Sequence, residues 1–108
     1  MEEVFHAHLY FNEATRESAL RIREQLAEAT DFAVDLQPVR EAPLGPHPTP
    51  MFNSHLDYAN FGQAMRWLML NHGPHSVLIH PNTDDPVADH TQHALWLGAP
   101  LPLNLENL

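Results

Sequence analysis

Phe5-His6-Ala7-His8-Leu9-Tyr10-Phe11 alternates apolar with polar side chains, the period of a half-buried β-strand. Successive side chains of a strand point to opposite faces, so Phe5, Ala7, Leu9 and Phe11 share one side and His6, His8 and Tyr10 the other. One face suits a hydrophobic core. The other carries two imidazoles, and the remainder of the chain reads as supplying partners for them.

Working outward, the first strand runs from about Glu3 to Phe11, and residues 12–30 predict a helix. Asn12 or Thr15 can cap it, Glu13 and Glu17 sit near its positive end, and it holds no proline. Ala19, Leu20, Ile22 (or Arg23), Leu26 and Ala27 form its apolar stripe, with Arg16, Arg21, Glu24 and Glu28 outside. Phe32 to Val39 alternates again as a second strand, which Pro38 pushes toward a sheet edge or ends. Ala42 to Pro50 holds four prolines and one glycine, a stiff connection able to fix His47 without helix or sheet around it.

Met51 to Tyr58 predicts a third strand, with Phe52, Leu56 and Tyr58 opposite Asn53, His55 and Asp57. A second helix follows over residues 60–72, with Phe61, Met65, Leu68 and Met69 as its stripe, Trp67 adjacent, and Gly73-Pro74 as its stop. Ser76 to His80 is the fourth strand. The tail beyond Pro81 holds a turn, a short helical turn from Asp89 to Trp96, and proline-spaced leucines.

This order, β-α-β-β-α-β, predicts an α+β ferredoxin-like sandwich: a four-stranded antiparallel sheet in the order 4-1-3-2, two helices on one face, and a C-terminal tail. Residues 1–108 are expected to form one domain. Phe5, Leu9, Phe11, Val77 and Ile79 would face the core, and His6, His8, His55, Leu78 and His80 the uncovered side. His80 should lie beside His6, at the ~4.5–5.5 Å of cross-strand neighbours. An uncovered face needs a tail, a ligand or a second copy, and a homodimer through it is the economical expectation.

Composition narrows the function. Hydrophobic residues at 44% and charged residues at 18% are those of a folded protein. Fourteen carboxylates against five arginines give a net charge of −9, which argues against nucleic acid and anionic membranes as partners. The absence of lysine excludes Schiff-base chemistry, and the absence of cysteine excludes disulfides, thiolate metal sites and cysteine nucleophiles. Runs such as Trp67-Leu68-Met69-Leu70 are too short to span a bilayer, and no signal peptide opens the chain, so a cytoplasmic location is expected. Nine dispersed histidines remain, the commonest metal ligand and the usual proton carrier near neutral pH.

His6-x-His8 puts two nitrogens on one strand face about 6.5 Å apart at Cα, suited to one first-row metal. Alone the pair reads more simply as exposed strand histidines; His80, arriving from strand four, changes the balance. Asp84 or Asp85 could orient an imidazole, and Asp89-His90 pairs a carboxylate with another. Taken singly, His90 reads as solvated, Gly-Pro-His-Pro as an ordinary turn and Trp96 as a tail anchor. His72, His75 and His93 read as surface histidines, and His55 as filling of the face.

His6-Ala7-His8-Leu9-Tyr10-Phe11, Gly45-Pro46-His47-Pro48, His80-Pro81-x-Thr83-x-Asp85, Asp89-His90-Thr91 and Trp96-Leu97-Gly98, in this order and spacing, resemble the DOPA 4,5-dioxygenase family of fungal type and its bacterial homologues. The likeness runs from about residue 4 to 105. It implies a ferredoxin-like fold and a non-haem-metal enzyme that opens catechol rings with O₂ by extradiol cleavage. Carried over position by position, it marks His6, His8, His47, His80 and His90 as functional; His55 lies outside the pattern. Asn82-Thr83-Asp84-Asp85 stands where many relatives have a glycine near position 84, a departure that bears on the turn. The resemblance implies Fe(II), with Zn(II) an alternative occupant of a purified sample. An all-imidazole ligand set of His8, His80 and His6 or His47 is the first expectation, with Asp57 or Asp89 as the carboxylate fallback. His90 and His47 would handle protons, and Tyr10 and Trp96 could flank the ring. A Zn(II) enzyme of another reaction class and a metal-binding module without catalysis are the competing readings.

Overall fold

The computed structural model describes residues 3–108. Its elements are β1 (Phe5–Tyr10), α1 (Arg16–Glu28), β2 (Asp35–Leu36), β3 (Met51–Leu56), α2 (Phe61–Asn71), β4 (Val77–Pro81), α3 (Pro86–Asp89) and β5 (Leu95–Leu97). The strands form one sheet in the order β2-β3-β1-β4-β5, every pair antiparallel. The expected 4-1-3-2 order is present, with a fifth strand added beside β4.

Local chemistry sets the boundaries. Asn12 accepts a hydrogen bond from the Thr15 backbone N–H while the Thr15 hydroxyl oxygen accepts one from the Asn12 N–H, a reciprocal cap on the turn that leads into α1. At the other helix, α2 stops where Gly73 takes φ +58°, a conformation that costs a side-chain-bearing residue about 1–2 kcal/mol. The sheet's inner face and both long helices share one core: Ala7, Leu9, Phe52, Leu56, Val77 and Ile79 pack with Ala19, Ile22 and Leu26 of α1 and with Ala64, Met65 and Leu68 of α2. Burying side chains as completely as Phe52 and Leu56 contributes roughly 1.5–3 kcal/mol each.

Several expectations need correction. The second strand shrinks from Phe32–Val39 to Asp35–Leu36, because the chain pulls away at Pro38 and returns to β3 only through an isolated bridge between Arg40 and Met51. Met69 is 59% exposed and Ala27 also faces solvent, so Ala64 takes Met69's expected place on the apolar stripe. The helical turn expected from Asp89 to Trp96 instead ends at Asp89. Leu95, Trp96 and Leu97 pair with Ile79, Leu78 and Val77, covering an edge of β4 that would otherwise expose unpaired backbone groups.

That tail also covers half of the second sheet face. Tyr10, Met51 and Leu78 form a small buried cluster under Ala94, Trp96, Leu101 and Leu103. The opposite end of the same face is left to the histidines.

Candidate metal centre

Register brings the histidines together. His6 of β1 lies directly opposite His55 of β3 on one side and His80 of β4 on the other. Directly opposed residues share a face, so three imidazoles line up across three strands. His8, two residues along, extends the group toward the loop. Ring centroids lie 5.0 Å apart for His6–His80, 5.2 Å for His8–His80 and 4.4 Å for the stacked His6–His55 pair.

Two irregular segments bring in the remaining pair. Leu44 and His47 exchange backbone hydrogen bonds of 3.3 and 3.0 Å around Gly45-Pro46. Gly45 opens that tight turn at φ +55°. The turn projects the His47 ring to 4.1 Å from that of His8. His90 follows α3, whose start is capped by Asp85 accepting from the Ala88 N–H at 3.1 Å. Its ring lies 4.2 Å from that of His80 and 5.8 Å from that of His47. The six histidines line a cleft of about 410 Å³, together with Gln37, Arg40, Asn53, Thr83 and Asp89 among its polar residues.

Hydrogen bonds fix which nitrogen of each ring faces the cleft. His80 Nδ1–H donates to the Pro81 carbonyl at 2.7 Å and His90 Nδ1–H to the Pro86 carbonyl at 2.7 Å, which makes Nε2 the lone-pair nitrogen of each ring. His6 Nε2 pairs with the Glu3 carboxylate, leaving Nδ1 as its free nitrogen. The Tyr10 hydroxyl and His47 Nδ1 are 2.7 Å apart. His8 Nε2 stands 3.1 Å from His80 Nε2, while His8 Nδ1 is buried with no partner among the described residues.

Burial keeps four of these rings neutral. Burial holds His8 well below its ordinary pKa, and the nearby His47, His80 and His6 add to the effect. Burial and the neighbouring His90 depress His47 to about 4. His80 falls to about 4 as well, through burial, against a raising effect of its Pro81 hydrogen bond. His6 is lowered by burial, with Glu3 opposing. At neutral pH His6, His8, His47 and His80 therefore offer lone pairs and no charge, the state in which imidazoles ligate a metal without first losing a proton.

The donor set fits a divalent ion. His6, His8 and His80 can each supply one nitrogen with all three within 4.8 Å of one another, and so can His8, His47 and His90. Two ligands at right angles around an ion with bonds of ~2.1 Å stand about 3.0 Å apart, close to the 3.1 Å between His8 and His80.

Other residues are placed differently from expectation. Asp89 is no spare ligand: it accepts from the Thr83 N–H and hydroxyl, both at 2.7 Å, and from His93 Nδ1–H at 3.0 Å, tying the turn after β4 to α3. Burial pushes its carboxyl up, but those hydrogen bonds prevail and leave it below the usual range. Asp57 accepts from the Asn60 backbone N–H, outside the cleft. Asp85 is spent on capping and Asp84 is exposed, so neither orients an imidazole. Trp96 stacks on Tyr10 at 5.9 Å and anchors the tail, and neither lines the cleft. His75 is buried, bonded to Ser18 and to the Tyr10 carbonyl at 2.9 Å each. Glu3 went unforeseen, since it lies three residues before His6 and outside the strand's alternation; its carboxylate also stands 3.7 Å from His55.

Comparison with known proteins gives a consistent picture. The model of the Dopa 4,5-dioxygenase family matches residues 5–107. An uncharacterised 21.2 kDa protein of Botryotinia fuckeliana is 39% identical over 94% of this chain and 61% of its own length. A DOPA 4,5-dioxygenase of Amanita muscaria is 33% identical over 96% of this chain and 49% of its own. The chain thus spans about half to three fifths of the curated relatives it matches. A crystal structure from Nostoc punctiforme, described as a candidate dioxygenase, superposes with a TM-score of 0.90 at 43% identity, covering 96% of this chain and 89% of that one.

Proposed function

The chain belongs to the Dopa 4,5-dioxygenase family, and we propose that it is a non-haem-metal dioxygenase that opens a catechol ring with O₂ beside, rather than between, the hydroxylated carbons. The observation that carries this reading is the convergence of His6, His8 and His80 on one sheet face, where one ligand nitrogen from each lies within 4.8 Å of the other two. Three imidazoles hold half of an octahedron and leave room for several further ligands. Fe(II) bound there would bring the catechol oxygens and O₂ onto one centre and pass electrons between them; Zn(II) suits the same nitrogens in a purified sample.

The chain's own groups do the rest. His47, neutral at pH 7 because its pKa lies near 4, can take a proton that a catechol hydroxyl must lose. The Tyr10 hydroxyl holds that ring in place. His90 presents the Nε2 lone pair to the cleft, where it can take the second catechol proton and return that proton to the opened product. Glu3 orients His6 in the way that carboxylates orient ligating histidines. The mouth of the histidine cleft is also the surface a homodimer would use.

Oxygen-electrode assays of Fe(II)-loaded protein over a panel of catechols test the proposal. One O₂ consumed per catechol, with a new visible absorbance from the opened product, is expected. Turnover under anaerobic conditions would instead indicate a metal-dependent enzyme of another class. Tight metal uptake with no turnover of any catechol would indicate a metal-binding module.

A further inference from the structure

Asp35 of β2, His55 of β3, His6 of β1 and His80 of β4 stand in one row across four strands, each directly opposite the next. Directly opposed residues share a face, so a single line of donors runs inward from the sheet edge. Its inner half, His6 and His80, belongs to the metal centre described above. Its outer half does not: His55 lies outside the family's pattern of histidines, and Asp35 is an exposed residue of a two-residue edge strand.

Glu3 adds an oxygen donor to that outer half. Its carboxylate pairs with His6 Nε2 and stands 3.7 Å from His55 Nε2. Glu3, His6 and His55 thus form a further trio whose ligand atoms all lie within 4.8 Å of one another. Neighbouring ligands on a tetrahedral ion with bonds of ~2.1 Å stand about 3.4 Å apart, near the 3.7 Å observed. The sheet holds both imidazoles in place, since their rings stack at 4.4 Å and both side chains are mostly buried, while Glu3 reaches them from the solvent side. At its other nitrogen, Nδ1, His55 faces the Asp35 carboxylate at 3.8 Å, as carboxylates stand behind ligating imidazoles.

His6 divides its nitrogens between the two halves of the row. Nε2 faces Glu3, and Nδ1 is left for the inner centre. An ion entering the outer trio therefore replaces the Glu3–His6 hydrogen bond without taking a nitrogen from the inner set. We propose that Glu3, His6 and His55 form a second divalent-cation site that takes Zn(II), with Asp35 orienting His55. Two imidazoles and one carboxylate are a Zn(II) donor set that leaves the fourth position to water. Fe(II) stands low in the divalent series for such donors and is expected at the inner histidines alone. Binding at the outer site is independent of the ring-opening reading above.

Equilibrium dialysis of metal-free protein against Zn(II), with metal counted per chain, tests the site. His8 belongs to both trios of the inner cleft, so His8→Ala removes the inner ion and spares the outer one. Wild type should hold two ions, His55→Ala one, His8→Ala one, and the double variant none. Glu3→Gln, at an exposed position that the core does not depend on, should lose the outer ion as His55→Ala does. Asp35→Asn should weaken it about 10- to 100-fold. One ion in wild type with none in His8→Ala, or two ions in His55→Ala, would overturn the outer site. One ion in wild type, kept by His8→Ala and lost by His55→Ala, would uphold the outer site and remove the inner centre instead.

Discussion

At the scale of single residues, the account turns on protonation. His6, His8, His47 and His80 all bind protons more weakly in the folded chain than the ordinary pKa of about 6.5. The unfolded chain therefore takes up more protons as the pH falls, so folding stability is full above about pH 6.5 and is lost on the way down to about 4. His47 and His80 each contribute up to about 1.4 kcal/mol per pH unit across that window, and His6 and His8 act in the same direction. Urea unfolding of metal-free protein at pH 7, 6 and 5 should show midpoints that drop steeply, and His47→Ala should flatten the trend; midpoints that stay level would contradict the burial of neutral rings. At this scale the site was largely legible. His6 and His8 announce themselves by strand alternation, and His80 by the antiparallel register. His75 and Glu3 did not, because a buried histidine bonded to Ser18 and a carboxylate just outside a strand leave no periodic trace.

Among the elements, regular ones were readable and irregular ones less so. Two helices and three long strands carry apolar periodicity that their packing confirms. β2 is short and β5 was missed, because both are edge strands defined by the neighbour they cover rather than by their own pattern. The turn that presents His47 shows how an irregular element can matter more than a regular one. A Cβ built on Gly45 meets nothing within 4 Å, so replacement by alanine is opposed only by its φ of +55°. Gly45→Ala should cost about 1–2 kcal/mol in stability, a modest fall in Tm. It should cost proportionately more in turnover, about tenfold, because a shift of the turn displaces His47 from the reacting group. A fall in Tm with unchanged kcat would remove His47 from the chemistry.

For the whole molecule, the sheet divides its labour by face and then by end. One face builds the core with α1 and α2; the other is closed by the tail at Tyr10 and Leu78, and by the Leu44–His47 turn and α3 around the histidine cleft. None of the helices among the described residues is long and apolar enough to cross a membrane. The central claim is that the cleft binds one divalent metal through His6, His8 and His80. Anaerobic calorimetric titration of Fe(II) into metal-free wild-type protein and into His80→Ala measures it directly. One ion per wild-type chain, with affinity at least 100-fold weaker in the variant, is the predicted result; equal uptake by both proteins, or none by the wild type, would contradict it.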